Sequence, residues 1–170
     1  MNYKRLYIPN SLIFVTVVTK NRKNILISNI KFLRKAFELA KNQIPFEIIA
    51  IIVNDNHFHM IIKPYDIKTY PKIIGLIKSY FTKLSGLKRS LNNSGESDVW
   101  QRRYWEHTIT NEEDLYKHID YIHYNSVKHY NIAPKDWEYS SFDKFVKNNY
   151  YDMDWCNFGD KYNINNLNFE

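Results

Sequence analysis

His57 and His59 are separated by one residue in the segment His57-Phe58-His59-Met60-Ile61. Side chains alternate along an extended chain, so the two imidazoles share a face and stand about 7 Å apart. Both can reach one divalent cation at that spacing, and neutral imidazole is a ligand for many such ions. Taken alone, on a strand with one solvated side, the pair reads more readily as two partly exposed surface histidines than as metal ligands. Tyr121 and Asn125 form a second pair, four residues apart on a helical stretch, which presents a phenol hydroxyl and an amide oxygen on one face. The lone Cys156 excludes an internal disulfide and any site built from several thiolates. A metal here must be held by His, Asn, Asp or Glu.

The surrounding elements follow from hydrophobic period and turn chemistry. Residues 12–19 (LIFVTVVT) are β-branched and aromatic after the turn formers Pro9, Asn10 and Ser11, which predicts a buried strand. From Ile30, the stripe Leu33, Ala36, Phe37 and Ala40 predicts an amphipathic helix that ends before Pro45. Residues 46–53 (FEIIAIIV) and 57–63 (HFHMIIK) flank Asn54-Asp55-Asn56 as the strands of a hairpin. Pro71 opens a second helix with the apolar set Ile73, Ile74, Ile77, Phe81 and Leu84, which ends near Gly86. A polar loop covers Ser90 to Asp98, and a short strand follows near Tyr104 to Ile109. Thr110 with Glu113 has capping-box spacing ahead of a third helix lined by Leu115, Ile119 and Ile122. This order predicts an α+β fold of the ferredoxin-like, split-βαβ type. One antiparallel sheet carries helices on one face, and an added C-terminal helix bears the tyrosine.

The whole chain has a net charge of +6. Its last 21 residues hold Asp152, Asp154, Asp160 and Glu170 against Lys161, so the tail is −3 and residues 1–149 are +9. The chain thus reads as a single domain over 1–149 followed by an acidic, aromatic tail over 150–170. That tail is expected either to lie over a basic face or to pack through Tyr150, Tyr151, Trp155 and Phe158. Fourteen Tyr, ten Phe and four Trp beside this basic charge point toward nucleic acid. Lys72, Lys78, Lys83, Lys88, Arg102 and Arg103 are the expected backbone contacts. No apolar run approaches membrane-spanning length, and the N-terminus lacks the pattern of a secretory signal, so a cytoplasmic protein is expected.

Four segments, in order, resemble the REP-associated tyrosine transposases, a branch of the single-tyrosine HUH (IS200-like) transposases. They are His57-Phe58-His59, the stretch 100–107 (WQRRYWEH), the stretch 120–129 (DYIHYNSVKH) and residues 137–142 (WEYSSF). The resemblance implies that Tyr121 is the nucleophile and that Asn125 joins His57 and His59 in holding Mg²⁺ or Mn²⁺. Helical phase favours Tyr121 over Tyr124, because only Tyr121 stands one turn from Asn125. Three places depart from the family pattern. Asp55 stands where Pro is common, Ser126 replaces the usual Pro, and the loop from Ser90 to Asp98 is long.

The activity implied is nicking and rejoining of single-stranded, hairpin-containing DNA through a 5′-phosphotyrosine, with no ATP required. The sequence names no general base for the phenol; His107, His118 and His123 are the neighbouring candidates. It also leaves monomer and homodimer open. Two other classes compete: a non-catalytic nucleic-acid-binding module with a ferredoxin-like fold, and a metal-dependent hydrolase in which water attacks. A covalent protein–DNA adduct separates the three.

Overall fold

The computed structural model describes residues 7–87 and 98–156. Strand β1 (Ile13–Val18), helix α1 (Ile30–Gln43), strands β2 (Phe46–Val53) and β3 (His57–Pro64), helix α2 (Tyr70–Ser85) and strand β4 (Trp105–Thr108) appear in the expected order. They form one antiparallel sheet of order β2-β3-β1-β4, the ferredoxin-like arrangement. Helix α2 stops at Gly86, whose φ of 66° is the left-handed conformation that glycine adopts without a Cβ clash. Lys88 and residues 90–97 of the polar loop lie outside the described residues.

Period 2 in the central strands assigns each side chain to a layer. Ile13, Val15 and Val17 of β1 and Phe58, Met60 and Ile62 of β3 point into one core, against Leu33 and Ala36 of α1 and Ile73 and Ile77 of α2. Phe14, Ala50, Ile52 and Ile61 point the other way, into a second core completed by α3 (Glu112–Tyr130) through Ile119, Tyr121 and Ile122. The added helix therefore covers the face opposite α1 and α2, and the sheet is buried on both sides. His57 and His59 are accordingly 2% and 0% exposed. The alternative of two surface histidines on a solvated strand is overturned, because α3 supplies a cover that the strand's own pattern does not announce.

The start of α3 also differs from expectation. Asn111, not Thr110, is the N-cap: its side chain accepts from the Asp114 N–H at 2.9 Å. The Asp114 carboxylate reaches back to the Thr110 N–H (2.9 Å) and hydroxyl (3.1 Å), while Glu113 pairs with Lys117 one turn on. The reciprocal logic of a capping box is kept, shifted by one residue.

Residues 137–142 lie along the outer edge of β2. The Val53 and Ser141 N–H groups donate to the Tyr139 and Ile51 carbonyls, at 2.8 and 2.9 Å, and the Trp137 indole donates to the Val53 carbonyl at 3.1 Å. A short helix α4 (Phe142–Lys147) follows. The described part of the acidic tail packs through its aromatics: Tyr151 stacks on Phe142 and its hydroxyl donates to Asp120 at 2.7 Å.

Candidate active site

The β2–β3 turn, strand β3 and helix α3 bring the candidate residues together. The Asn54 side-chain NH₂ donates to the Asn125 side-chain oxygen at 2.9 Å and lies 3.0 Å from Nε2 of His57. The His57 and His59 rings are 4.8 Å apart between centroids. The Tyr121 ring meets His59 edge-on at 5.2 Å. Thus all four residues singled out for chemistry converge, and one buried amide joins two of them.

The outer nitrogens of both imidazoles are held. His57 Nδ1 pairs with the Asn56 side-chain oxygen at 2.8 Å, and His59 Nδ1 pairs with the Thr16 hydroxyl at 2.8 Å, since Thr16 and His59 are register partners across β1 and β3. With the Nδ1–H donating in each contact, the Nε2 lone pair of each ring is left for a ligand, the usual second contact of a metal-binding histidine. Nε2 of His59 is buried and makes no hydrogen bond. Burial, and then the closeness of His57, His129 and Lys128, against an opposing contact with Asn125, hold the His59 pKa well below its ordinary value, so the ring is neutral at pH 7. A buried nitrogen with no hydrogen bond, a second imidazole and an amide oxygen are donors of the kind that bind divalent cations, the imidazoles suiting a transition ion such as Mn²⁺ better than the harder Mg²⁺.

Lys128, seven residues after Tyr121, was not among the expected site residues. Its ammonium donates to the Tyr121 hydroxyl at 3.4 Å and lies 5.2 Å from the ring centroid. The heptad spacing places both on one helix face and could have revealed it. The three candidate bases lie elsewhere. His123 faces away toward Ser141 and Tyr151, and burial lowers its pKa to about 3. His107 and His118 both bond the Asp114 carboxylate, at 2.8 and 3.0 Å, and stack on each other at 4.8 Å. These three residues could themselves gather round an ion, their ligand atoms lying within 4.8 Å, but as folded they tie β4 to the first turns of α3.

The basic residues divide. Lys72, Lys83, Arg102 and Arg103 are exposed. Lys72 and Lys83 lie on α2, across the sheet from Tyr121. Lys78 is engaged internally: its ammonium donates to the Gln101 and Arg102 carbonyls at 2.8 and 3.3 Å, and burial lowers its pKa to about 8. Between that value and the ordinary 10.5, the unfolded chain binds a proton that the folded chain does not. Stability relative to Lys78→Met is therefore expected to rise by roughly 2 kcal/mol as pH climbs through this window. Urea denaturation of both proteins from pH 7.5 to 10.5 checks it; parallel curves would refute it.

Residues 9–125 match the family model described as Transposase IS200 like. The chain is 39% identical over 162 residues to a REP-associated tyrosine transposase of Haemophilus influenzae, covering 91% of this chain and 92% of that protein. It is 36% identical over 157 residues to the REP-associated tyrosine transposase of Escherichia coli, covering 91% and 90%. The chain belongs to the REP-associated tyrosine transposase family. The fold agrees: a solved REP-associated tyrosine transposase bound to a REP hairpin superposes with a TM-score of 0.84 at 32% identity, over 99% of this chain and 96% of that one. As a tyrosine transposase the protein is a DNA nicking and joining enzyme.

Two departures of this transposase from the family pattern have local explanations. The Asp55 N–H donates to the Tyr130 hydroxyl at 2.9 Å, a bond that a proline there could not make. Ser126 sits inside an unbroken α3, where a proline would remove a backbone donor from the helix.

Proposed function

We propose that this transposase cleaves single-stranded, hairpin-containing DNA by attack of the Tyr121 oxygen on a backbone phosphodiester, giving a 5′-phosphotyrosine and a free 3′-hydroxyl. Rejoining is the reverse attack by a 3′-hydroxyl on the same linkage. The observation that carries this reading is the meeting of Tyr121 with His59 at 5.2 Å while Asn125, one turn on, shares the Asn54 amide with His57. The REP hairpin bound by the structural relative supports hairpin DNA as the substrate class.

His57, His59 and Asn125 are the residues that would hold Mg²⁺ or Mn²⁺. When bound, such an ion polarises the phosphate and offsets its charge. All three donors are neutral, so none of them cancels the cation's charge, which is left for an anionic phosphate. The Lys128 ammonium, 3.4 Å from the phenol oxygen, favours the anionic nucleophile. Lys72, Lys83, Arg102 and Arg103 serve as backbone contacts for the hairpin, with Lys72 and Lys83 far from the cleaved bond. Lys78 acts chiefly by fixing the segment that carries Arg102.

The test is incubation with a labelled single-stranded hairpin and Mn²⁺, followed by a denaturing gel. A covalent adduct is expected. Cleavage without adduct would favour the hydrolase, and binding without cleavage the non-catalytic module. Lys128→Met should lower the rate of adduct formation about tenfold to a hundredfold at pH 7 and move the rise of the rate to higher pH. An unchanged pH–rate profile would remove Lys128 from the chemistry.

A further inference from the structure

Asn54 lies in the turn before the histidine strand and is 1% exposed. Its side-chain nitrogen stands 3.0 Å from Nε2 of His57 and 2.9 Å from the oxygen of Asn125, two of the acceptors that the proposed function gives to the cation. Its side-chain oxygen is buried and makes no hydrogen bond. Neighbouring ligands of an octahedral Mg²⁺ or Mn²⁺ ion, each about 2.0–2.2 Å from the metal, are separated by about 2.8–3.1 Å. The inward atom of the Asn54 amide is therefore spaced from both acceptors as a ligand is spaced from its neighbours.

We infer that Asn54 is a fourth protein ligand of the cation, binding through its side-chain oxygen after a half-turn of the amide. The inference rests on the reading of His57, His59 and Asn125 as the ion's other ligands. Without the ion, the NH₂ faces inward because it can donate to His57 and Asn125, at the cost of a buried carbonyl oxygen with nothing to accept from. With the ion, that oxygen faces inward and is held by the cation, as is Nε2 of His59, and this must offset the loss of the two acceptors that the NH₂ leaves behind at His57 and Asn125. The swap needs no backbone movement, since an amide's oxygen and nitrogen exchange places by rotation about one bond. Four neutral protein donors leave two positions of an octahedral ion for phosphate oxygen or water.

The alternative role has the opposite sign. If the amide only fills the site with its protons, those hydrogen bonds must break before an ion enters, and removing the amide strengthens metal binding. The experiment is calorimetric titration of Mn²⁺ into the full chain, without DNA, for the native protein and for Asn54→Leu, Asn54→Asp and His59→Ala. Asn54→Leu is expected to weaken Mn²⁺ affinity at least tenfold, and Asn54→Asp to tighten it at least tenfold. Equal or tighter binding by Asn54→Leu, or equal or weaker binding by Asn54→Asp, overturns the inference. Should Asn54→Leu not fold, as judged by circular dichroism, Asn54→Ala takes its place with the same expected and overturning results. His59→Ala separates the two failures. If it stays folded by circular dichroism and abolishes Mn²⁺ binding while Asn54→Leu does not weaken it, only the fourth ligand falls; if it binds as the native protein does, the histidine site itself falls.

Discussion

Tyr121→Phe is expected to eliminate the covalent adduct, with a loss on the order of 10³-fold or more, while hairpin binding stays within a few-fold of the native value. The substitution removes one oxygen. The ring keeps its contacts with His59 at 5.2 Å and Phe14 at 6.2 Å, and α3 keeps its anchorage through Ile119 and Ile122. The amine that donates to the lost oxygen belongs to Lys128, an exposed residue that can turn to water, so the stability cost should be about 1 kcal/mol or less. Tyr124→Phe should retain cleavage, because Tyr124 is only half-buried and lies at the edge of the second core. Denaturing gels of both variants settle the assignment: an adduct that persists in Tyr121→Phe and disappears in Tyr124→Phe would reverse it.

The second large effect concerns the ion. Chelation is expected to reduce cleavage to background with no change in circular dichroism, and added Mn²⁺ to restore it. Chelation is a cleaner test than replacing the histidines. His59 is fully buried between Thr16 and Tyr121, so His59→Ala opens a cavity and removes the hydrogen bond to the Thr16 hydroxyl, at a cost of about 2–4 kcal/mol. The ion should also stabilise the fold, because it satisfies a buried nitrogen that has no hydrogen-bond partner. At a free concentration of a hundred times Kd, the gain is about 2.7 kcal/mol, readable as a raised melting temperature. Cleavage that survives the chelator would leave the two histidines as core residues without a metal role.

Local pattern predicted much of this architecture, for a physical reason. A strand's period and a helix's stripe are fixed by the chain itself, so β2 appears over the residues expected, and β1, β3, α1 and α2 within a residue or so. The shared face of His57 and His59 and the one-turn spacing of Tyr121 and Asn125 are local in the same sense. Other features depend on residues distant in sequence. Whether the histidine face meets water is decided by α3, more than fifty residues later. Lys78 reads as a surface lysine until the Gln101 and Arg102 carbonyls arrive beside it. Asn54 reads as a turn former because its second role depends on Asn125, 71 residues away.

Helix α3 is continuous from Glu112 to Tyr130. Asn111 and the Asp114–His107 pair fix its beginning, and Asn131, in the left-handed conformation, closes its end. Tyr121 and Asn125 therefore belong to one stiff rod seated on the sheet. Under the proposed chemistry, DNA joined to Tyr121 stays moored at the spot where it was cut. Exchange of strand ends must then come from the nucleic acid: one 3′-hydroxyl leaves and another takes its place before a stationary berth. The choice of joining partner becomes a matter of which DNA end the hairpin can deliver to that berth, and a stem lengthened by a few base pairs should change what is joined more than how fast the first cut is made.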